Sequence, residues 1–313
     1  MYFLKHYPTP ASGLALGILS ISGFWAFFIA NPIIAHGFVT ILGTISLILL
    51  IPTIIKLLII PKELSNALKK PSVSCILPTI SMSLMLISHA FNGLGILFSS
   101  TCWLIAIAVH AMLLMFFILY RAKDFQSKDV EPSWFIPPVG MAVACLTTPN
   151  NDLLLVSQGI CLLTAIGYII IFSVIVKEFI KNTFKTNAAH PASAVLAAPA
   201  SLLLAGYLSI SHEPQPLFII ILYTTAIIKT STVYLLTPKL IRLPFHPSCA
   251  CLTFPLAISA IASLKVSQWM LSLHALAGYS HLIELLAIIQ GIACSYIITL
   301  IFIRYIRFIV SKY

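Results

Sequence analysis

Ten long apolar blocks, separated by short polar connections, set the strongest constraint on how this 313-residue chain can fold. A helix needs about 20 apolar residues to cross the hydrocarbon core of a bilayer, and each block is close to that length. Charged residues make up only 8% of the chain, too few to cover a water-soluble globule of this size. The sequence therefore predicts an all-α membrane protein in which residues 1–313 form a single transmembrane channel domain. The predicted spans are 11–30, 35–59, 72–90, 93–120, 134–149, 153–176, 191–210, 216–237, 247–267 and 280–306.

The basic residues predict which way the spans point. All but two of the 18 Lys and Arg residues lie at the N-terminus, in the even-numbered connections or in the C-terminal tail. The exceptions are Lys265, at the opposite end, and Lys229, within the eighth span. Because Lys and Arg accumulate on the cytoplasmic side, we predict a multi-pass protein of the inner (plasma) membrane with both termini in the cytoplasm. This placement accounts for the net charge of +10 and argues against a nucleic-acid partner.

The odd-numbered spans share a proline pattern that the even-numbered spans lack. Four of them open with a proline and a small residue, and a second proline follows within the next few positions. An interior proline removes a hydrogen bond and kinks a helix, and the freed carbonyl group then needs a partner or water. We therefore predict five repeated helical hairpins, with kinked odd helices lining a central pore and even helices outside. The predicted pore-lining kinks are Pro78, Pro137, Pro138, Pro199 and Pro255.

Small and polar residues of the odd spans are the remaining candidates for the pore lining. They are Ser12, Gly13, Thr79, Gly140, Ser193 and Thr253. Gly13 and Gly17 also form a small-xxx-small pair, which allows close contact between helices. No odd span carries an acidic or basic residue in its middle, whereas coupled transporters rely on intramembrane ionisable groups. The pattern therefore favours passive conduction over coupled pumping.

Motifs of hydrolases, kinases and metalloproteases are absent from the sequence, so we expect no enzymatic activity, no cofactor and no metal site. The seven cysteines lie mostly inside apolar runs and are interpreted as buried free thiols. His110, within the fourth span, is interpreted as a hydrogen-bonded packing residue, with a proton relay as the alternative.

Phe254 directly precedes the second proline of the ninth span, near the middle of the predicted membrane. A bulky ring there would close a narrow pore by excluding water. The same ring would also serve as ordinary packing against a neighbouring helix, and the spacing leaves both interpretations open.

Three segments of the chain resemble the bacterial TehA tellurite-resistance and C4-dicarboxylate transporter family, which is related to plant slow-type anion channels. These segments are EPSWFIPPVGMAVA (131–144), HPASAVLAAPASLLLAGY (190–207) and FHPSCACLTFPLAISAIAS (245–263). The resemblance implies a homotrimer with one pore in each protomer, occluded by a phenylalanine of the ninth helix that matches Phe254. The chain departs from the pattern in its first span and at residues 249–251, where plant members tend to carry aromatic residues.

Together these features predict a passive channel that conducts small monovalent anions, such as chloride or nitrate, through a pore gated by Phe254. One alternative is a proton-coupled carrier of malate-like C4-dicarboxylates, or of sulfite or a tellurite-related anion. Another is a membrane scaffold that conducts nothing.

Overall fold

The computed structural model describes residues 2–181, 191–273 and 275–311, apart from the side chains of Tyr2, Lys128 and Phe179. Every regular element within these residues is helical, which confirms the all-α prediction. Lys185 and Lys312, which contribute to the predicted orientation, and residue 190 of the second resembling segment lie outside the described residues.

Five even helices of 25 to 34 residues alternate with shorter odd helices. The even helices are Pro32–Ile59, Ile96–Lys123, Leu154–Ile180, Pro216–Leu240 and Ala277–Val310. The first odd helix is Ala11–Ala26, and the third consists of Pro71–Ser74 and Pro78–Ala90. The fifth, seventh and ninth helices combine 3₁₀ and α-helical segments. These are Pro132–Phe135, Ile136–Val139, Gly140–Ala142 and Val143–Leu146 in the fifth, Pro191–Ala197 and Ala198–Ile210 in the seventh, and Pro247–Leu252 and Thr253–Ser272 in the ninth.

Eight of these helices in the described part of the chain are long and apolar enough to cross a membrane, so the chain is a multi-pass membrane protein. The first and fifth helices, Ala11–Ala26 and Pro132–Leu146, are apolar but shorter. They occupy the positions of the first and fifth predicted spans. That all ten helices cross the bilayer stays a prediction.

The second prolines of the odd helices begin new helical segments, whereas the sequence predicts kinks inside continuous helices. Pro78 is the first residue of its α-helix, Pro137 and Pro199 are the second residues of theirs, and Pro255 is the third. The N–H groups of the first turn have no partner within an α-helix, so proline loses little there. In the fifth, seventh and ninth helices, a 3₁₀ segment precedes the α-helix.

Burial separates the two sets of helices. Between 72% and 89% of the membrane-length window is buried in the third, seventh and ninth helices, whereas the even helices have between 22% and 39% buried. The exposed side chains of the even helices are mostly large and aliphatic, such as Ile33, Leu97 and Leu235. An apolar surface of this kind is suited to lipid, which solvates it as well as the protein interior does.

The odd helices form a closed ring. The first contacts the third, the third contacts the fifth, and the fifth contacts the seventh. The seventh contacts the ninth, and the ninth contacts the first. Each even helix packs against its preceding odd helix and against the next odd helix of the ring, and the tenth helix contacts the first. The even helices therefore form an outer layer around five inner helices.

Small residues bring the first and ninth helices together. A methyl group on Gly17 would overlap the Oγ1 and Cβ atoms of Thr253, and one on Gly13 would lie 3.6 Å from the Cβ atom of Ala250. The Thr253 hydroxyl group donates a hydrogen bond of 3.0 Å to the carbonyl oxygen of Gly13. The close helix contact predicted for Gly13 and Gly17 is therefore confirmed.

Candidate functional site

All five odd helices begin at the same end of the ring, next to the connections that carry most of the basic residues. We call this the basic end and the opposite one the far end. The ring encloses two cavities, one lined mainly by the first halves of the odd helices and the other mainly by later residues of these helices.

The narrow cavity lies toward the basic end and has a volume of about 40 Å³. That is enough space for two or three water molecules, at roughly 10–15 Å³ each. Residues of, or next to, each of the five odd helices line it, and no charged side chain does so among the described residues. Of the residues predicted to line a pore, the structure brings six together at its wall. They are Gly13, Thr79, Gly140, Pro199, Phe254 and Pro255.

The other six predicted residues do not line the narrow cavity, and most of them contact neighbouring helices. Ser12 Oγ lies 2.7 Å from Thr79 Oγ1, and Thr253 donates to the carbonyl oxygens of Gly13 and Ala250. These hydroxyl groups join helices at the edge of the cavity and are not free to bind a solute.

The remaining prolines and Ser193 also lie away from the wall of this cavity. The carbonyl oxygen of Pro78 accepts a hydrogen bond from Ser81, and that of Pro137 lies 2.8 Å from His110 Nε2. Pro138 packs beside Gly167 of the sixth helix. The hydroxyl group of Ser193 is buried without a hydrogen-bond partner in the part of the chain that the structure describes.

The wide cavity lies toward the far end and has a volume of about 230 Å³. It is lined mainly by later residues of the first, third, fifth and ninth helices, with Val39 from the second. Unlike the narrow cavity, it has basic and amide side chains in its wall, namely His89, Lys265 and Gln268. Sequence reasoning placed Lys265 only at the opposite end from the other basic residues and missed its place in the cavity. Its position as the one basic residue at this end of the predicted spans was the available signal.

Phe254 lines both cavities and forms a wall that they share. Its side chain is buried, with 8% of the residue surface exposed. The backbone beside it is fixed by the hydrogen bonds of Thr253 and by the close approach of Gly17. Its apolar ring therefore stands between the narrow and the wide cavity.

Helix starts gather at the wall of the narrow cavity, which carries no charged side chain among the described residues. The α-helices Pro78–Ala90, Ala198–Ile210 and Thr253–Ser272 all begin at its wall, where Thr79, Ala198 and Phe254 lie within their first two residues. A helix N-terminus carries a partial positive charge of roughly half an elementary charge. Here each start continues a preceding helical turn, and first N–H groups such as those of Thr79 and Ile80 donate to the carbonyl oxygens of Ile76 and Leu77, so the wall of the cavity is apolar and uncharged.

Several basic residues at the basic end hold the backbone in place. Lys56 donates to the carbonyl oxygen of Tyr7 at 3.1 Å, Arg121 donates to that of Lys69 at 2.9 Å, and Arg304 donates to that of Ile241 at 2.6 Å. Since these carbonyl groups lie at or near the ends of helices, part of the basic charge has a structural role.

His110 is fully buried between three helices and lines neither cavity. Its Nδ1 atom lies 2.9 Å from Ser81 Oγ, and its Nε2 atom lies 2.8 Å from the carbonyl oxygen of Pro137. Both ring nitrogens therefore have protein partners, as expected for a hydrogen-bonded packing residue.

Lys229 and the cysteines complete the set of reactive groups. The Lys229 ammonium lies 5.2 to 5.6 Å from the ring centres of Phe135, Tyr168 and Phe172, a cation–π arrangement that the sequence did not predict. All seven cysteines are free, and five of them are buried, in agreement with their interpretation as packing residues.

The chain matches a family of known proteins and, over part of its length, a curated transporter. Residues 8–306 match the family described as SLAC1, voltage-dependent anion channel. An uncharacterized transporter of Methanocaldococcus jannaschii is 27% identical over 100 residues, which cover 31% of this chain and 29% of the relative. This second match therefore spans less than a third of the relative's length.

Proposed function

This chain belongs to the voltage-dependent anion channel family, and we propose that it is a passive channel for small monovalent anions in which Phe254 closes the pore. Membership of this family of anion channels and transporters confirms the resemblance noted in the three sequence segments. The proposed pore lies inside the ring of odd helices, within one transmembrane domain formed by residues 1–313.

One observation carries the proposal, namely that Phe254 alone, of the described residues, lines both the narrow and the wide cavity. The two cavities lie toward opposite ends of the ring of odd helices, so a solute that crosses through both must pass the Phe254 side chain. Movement of one side chain would join the cavities, whereas the backbone beside it is held in place. The arrangement is suited to a gate made of a single residue.

The electrostatics of the narrow cavity support anions as the conducted species. No carboxylate lines it among the residues that the structure describes, and most of the Lys and Arg residues lie at the basic end beside it. Because these charges are spread over the basic end and none lines the cavity, they hold no ion in a fixed geometry. We therefore propose that discrimination among chloride, nitrate and similar anions is weak.

The membrane context extends the proposal. The concentration of Lys and Arg at the basic end supports cytoplasmic termini in an inner (plasma) membrane. We also propose a homotrimer with one pore in each protomer, on the basis of the resemblance.

Substitution of Phe254→Ala tests the gate in a planar bilayer. We expect chloride conductance to rise at least about tenfold, the change that follows if the ring adds about 1.4 kcal/mol or more to the barrier. Phe116→Ala, on the exposed face of the fourth helix, is the matched control and should leave the conductance unchanged. Equal conductance of the wild type and Phe254→Ala would reject Phe254 as the gate.

The alternative function, a proton-coupled carrier of malate-like dicarboxylates or of sulfite, is favoured by the basic wide cavity. Its volume of about 230 Å³ and its Lys265 side chain are suited to a carboxylate or a similar oxyanion. Saturable counterflow of labelled malate into proteoliposomes, without single-channel currents, would establish this function in place of the channel.

A further inference from the structure

We propose that the wide cavity contains an anion-binding site, centred on Lys265, which holds a small inorganic anion before or after it passes Phe254. The role of the site in conduction rests on the proposed channel function, but binding itself does not require conduction. The ligand class is a monovalent inorganic anion such as chloride or nitrate.

Lys265 lies on the same face of the ninth helix as Phe254. It follows Phe254 by eleven residues, which is close to three turns of an α-helix and corresponds to about 16 Å along the axis. Ile261, between them, also lines the wide cavity. The Lys265 ammonium and the Phe254 ring therefore bound the same space at different depths.

The Lys265 ammonium has no acidic partner within ion-pair distance in the described part of the chain. The ion pairs found there involve Lys56, Arg121, Lys181 and His281. Lys265 is half-buried in an apolar helix of the inner ring, where an uncompensated charge is unfavourable. An anion from solution would supply the missing counter-charge.

Two further side chains of the cavity wall are suited to an anion. The Gln268 amide group offers N–H donors one turn beyond Lys265, and His89 adds an imidazole ring from the third helix. His89 lies close enough to Lys265 and to His36 of the second helix to interact with both electrostatically. Lys265, His89 and His36 are all basic, so they reinforce one another's attraction for an anion when protonated.

The cavity is large enough for an anion that keeps part of its hydration shell. Its volume of about 230 Å³ has space for about 15 water molecules or more, at roughly 10–15 Å³ each. The narrow cavity, by contrast, has no charged side chain and little space. The two sides of Phe254 therefore differ. The wide cavity, toward the far end, contains the charged anion-binding site, and the narrow cavity, toward the basic end, is an uncharged constriction.

Thermal unfolding of the detergent-purified protein tests binding directly. At constant ionic strength, with sodium gluconate replaced by sodium chloride, the melting temperature of the wild type should rise with chloride concentration, because a ligand that binds only the folded state stabilises it. Lys265→Gln should abolish this rise, Lys265→Arg should retain it, and Gln268→Leu should weaken it. Lys239→Gln, which removes the same charge from an exposed position at the basic end, should behave like the wild type. A full chloride response in Lys265→Gln, or an equal loss in Lys239→Gln, would overturn the proposal.

Conductance in the Phe254→Ala background separates the failure of this site from the failure of the channel. If the site feeds the pore, Lys265→Gln should lower the conductance several-fold at low chloride and have little effect at high chloride, where salt screens the charge. If Phe254→Ala conducts nothing but chloride still stabilises the wild type through Lys265, the channel function is rejected and the anion-binding site is supported. A Phe254→Ala protein that conducts equally with and without Lys265, and no chloride-dependent stabilisation, would remove the site and keep the channel.

Discussion

Gly17 determines how closely the first helix lies against the ninth helix beside Phe254. A methyl group at this position would overlap Thr253 and lie 3.1 Å from the backbone nitrogen of Phe254. Thr253 cannot yield easily, because its hydroxyl group is bonded to the carbonyl oxygens of Gly13 and Ala250. The position of the proposed gate thus depends on the absence of a side chain on the adjacent helix.

We predict that Gly17→Ala destabilises the protein by about 1–3 kcal/mol, the usual cost of overpacking a tight contact. Gly23→Ala is the matched control on the same helix, because nothing lies within 4 Å of its added methyl group. There alanine should stabilise the helix by up to about 1 kcal/mol. Thermal unfolding in detergent measures both variants, and equal melting temperatures would contradict the prediction.

Glu131, just before the fifth helix, makes stability depend on pH. Burial raises the pKa of its carboxyl group and Asp129 raises it further, while the nearby Ser133 hydroxyl opposes them. Because the pKa is higher in the folded than in the unfolded state, this group favours folding when protonated. That contribution is lost as the pH rises from the ordinary carboxyl pKa through the raised one.

We predict that Glu131→Gln raises the melting temperature relative to the wild type at about pH 7, and that the difference disappears at about pH 4, where the wild-type carboxyl is protonated. Glu213→Gln, at an exposed position, should show no such pattern. A gain in Glu131→Gln that is independent of pH would disprove the assignment to Glu131 ionisation.

At the scale of the element, proline sets where each inner helix changes from one helical form to another. The repeated pairs of prolines in the sequence identified four of the helices that the structure buries, because the pattern occurs only in odd spans. The pattern could not separate a kink from a new helix start, since the missing N–H group is compatible with both. For the same reason it predicted Pro137 and Pro138 at the cavity wall, where the structure places Ile136 and Val139 instead.

We predict different results for Pro255→Ala and Pro52→Ala. Alanine at 255 supplies an N–H group that can extend the ninth α-helix back toward Cys251, so Phe254 should shift and chloride conductance should change. Pro52 lies inside the lipid-facing second helix, where alanine restores a hydrogen bond and should stabilise the protein by up to about 3 kcal/mol without altering conductance. Bilayer recording and thermal unfolding test both variants. A change of conductance in Pro52→Ala with none in Pro255→Ala would refute the prediction.

At the scale of the whole molecule, an inner ring and an outer layer explain why two helices are short. The outer helices meet lipid and need to match its thickness, whereas the first and fifth helices are covered by their neighbours. The hydropathy pattern predicted the helical class, and the proline pattern of the odd spans predicted the two layers. They did not identify the wide cavity, because its wall combines residues far apart in the sequence, such as His89 and Lys265.

We predict that a cysteine introduced at position 150, between the fifth and sixth helices, lies on the opposite side of the membrane from cysteines introduced at position 126 and at the C-terminus. The short fifth helix must cross the membrane for this result. Labelling of single introduced cysteines in intact cells with an impermeant reagent, with and without permeabilisation, measures the side. Equal labelling of positions 126 and 150 would show that the fifth helix does not cross the membrane and would contradict the prediction of ten spans.

The contact between the first and ninth helices has a consequence for biosynthesis. Gly13 and Thr253 are hydrogen-bonded across 240 residues of sequence, so the inner ring closes only after the ribosome has made more than three quarters of the chain. Until then, the glycine-containing surface of the first helix has no native partner. Nascent chains that stall before the ninth helix should therefore be substrates for membrane proteases and chaperones, even though most of their hairpins are already inserted.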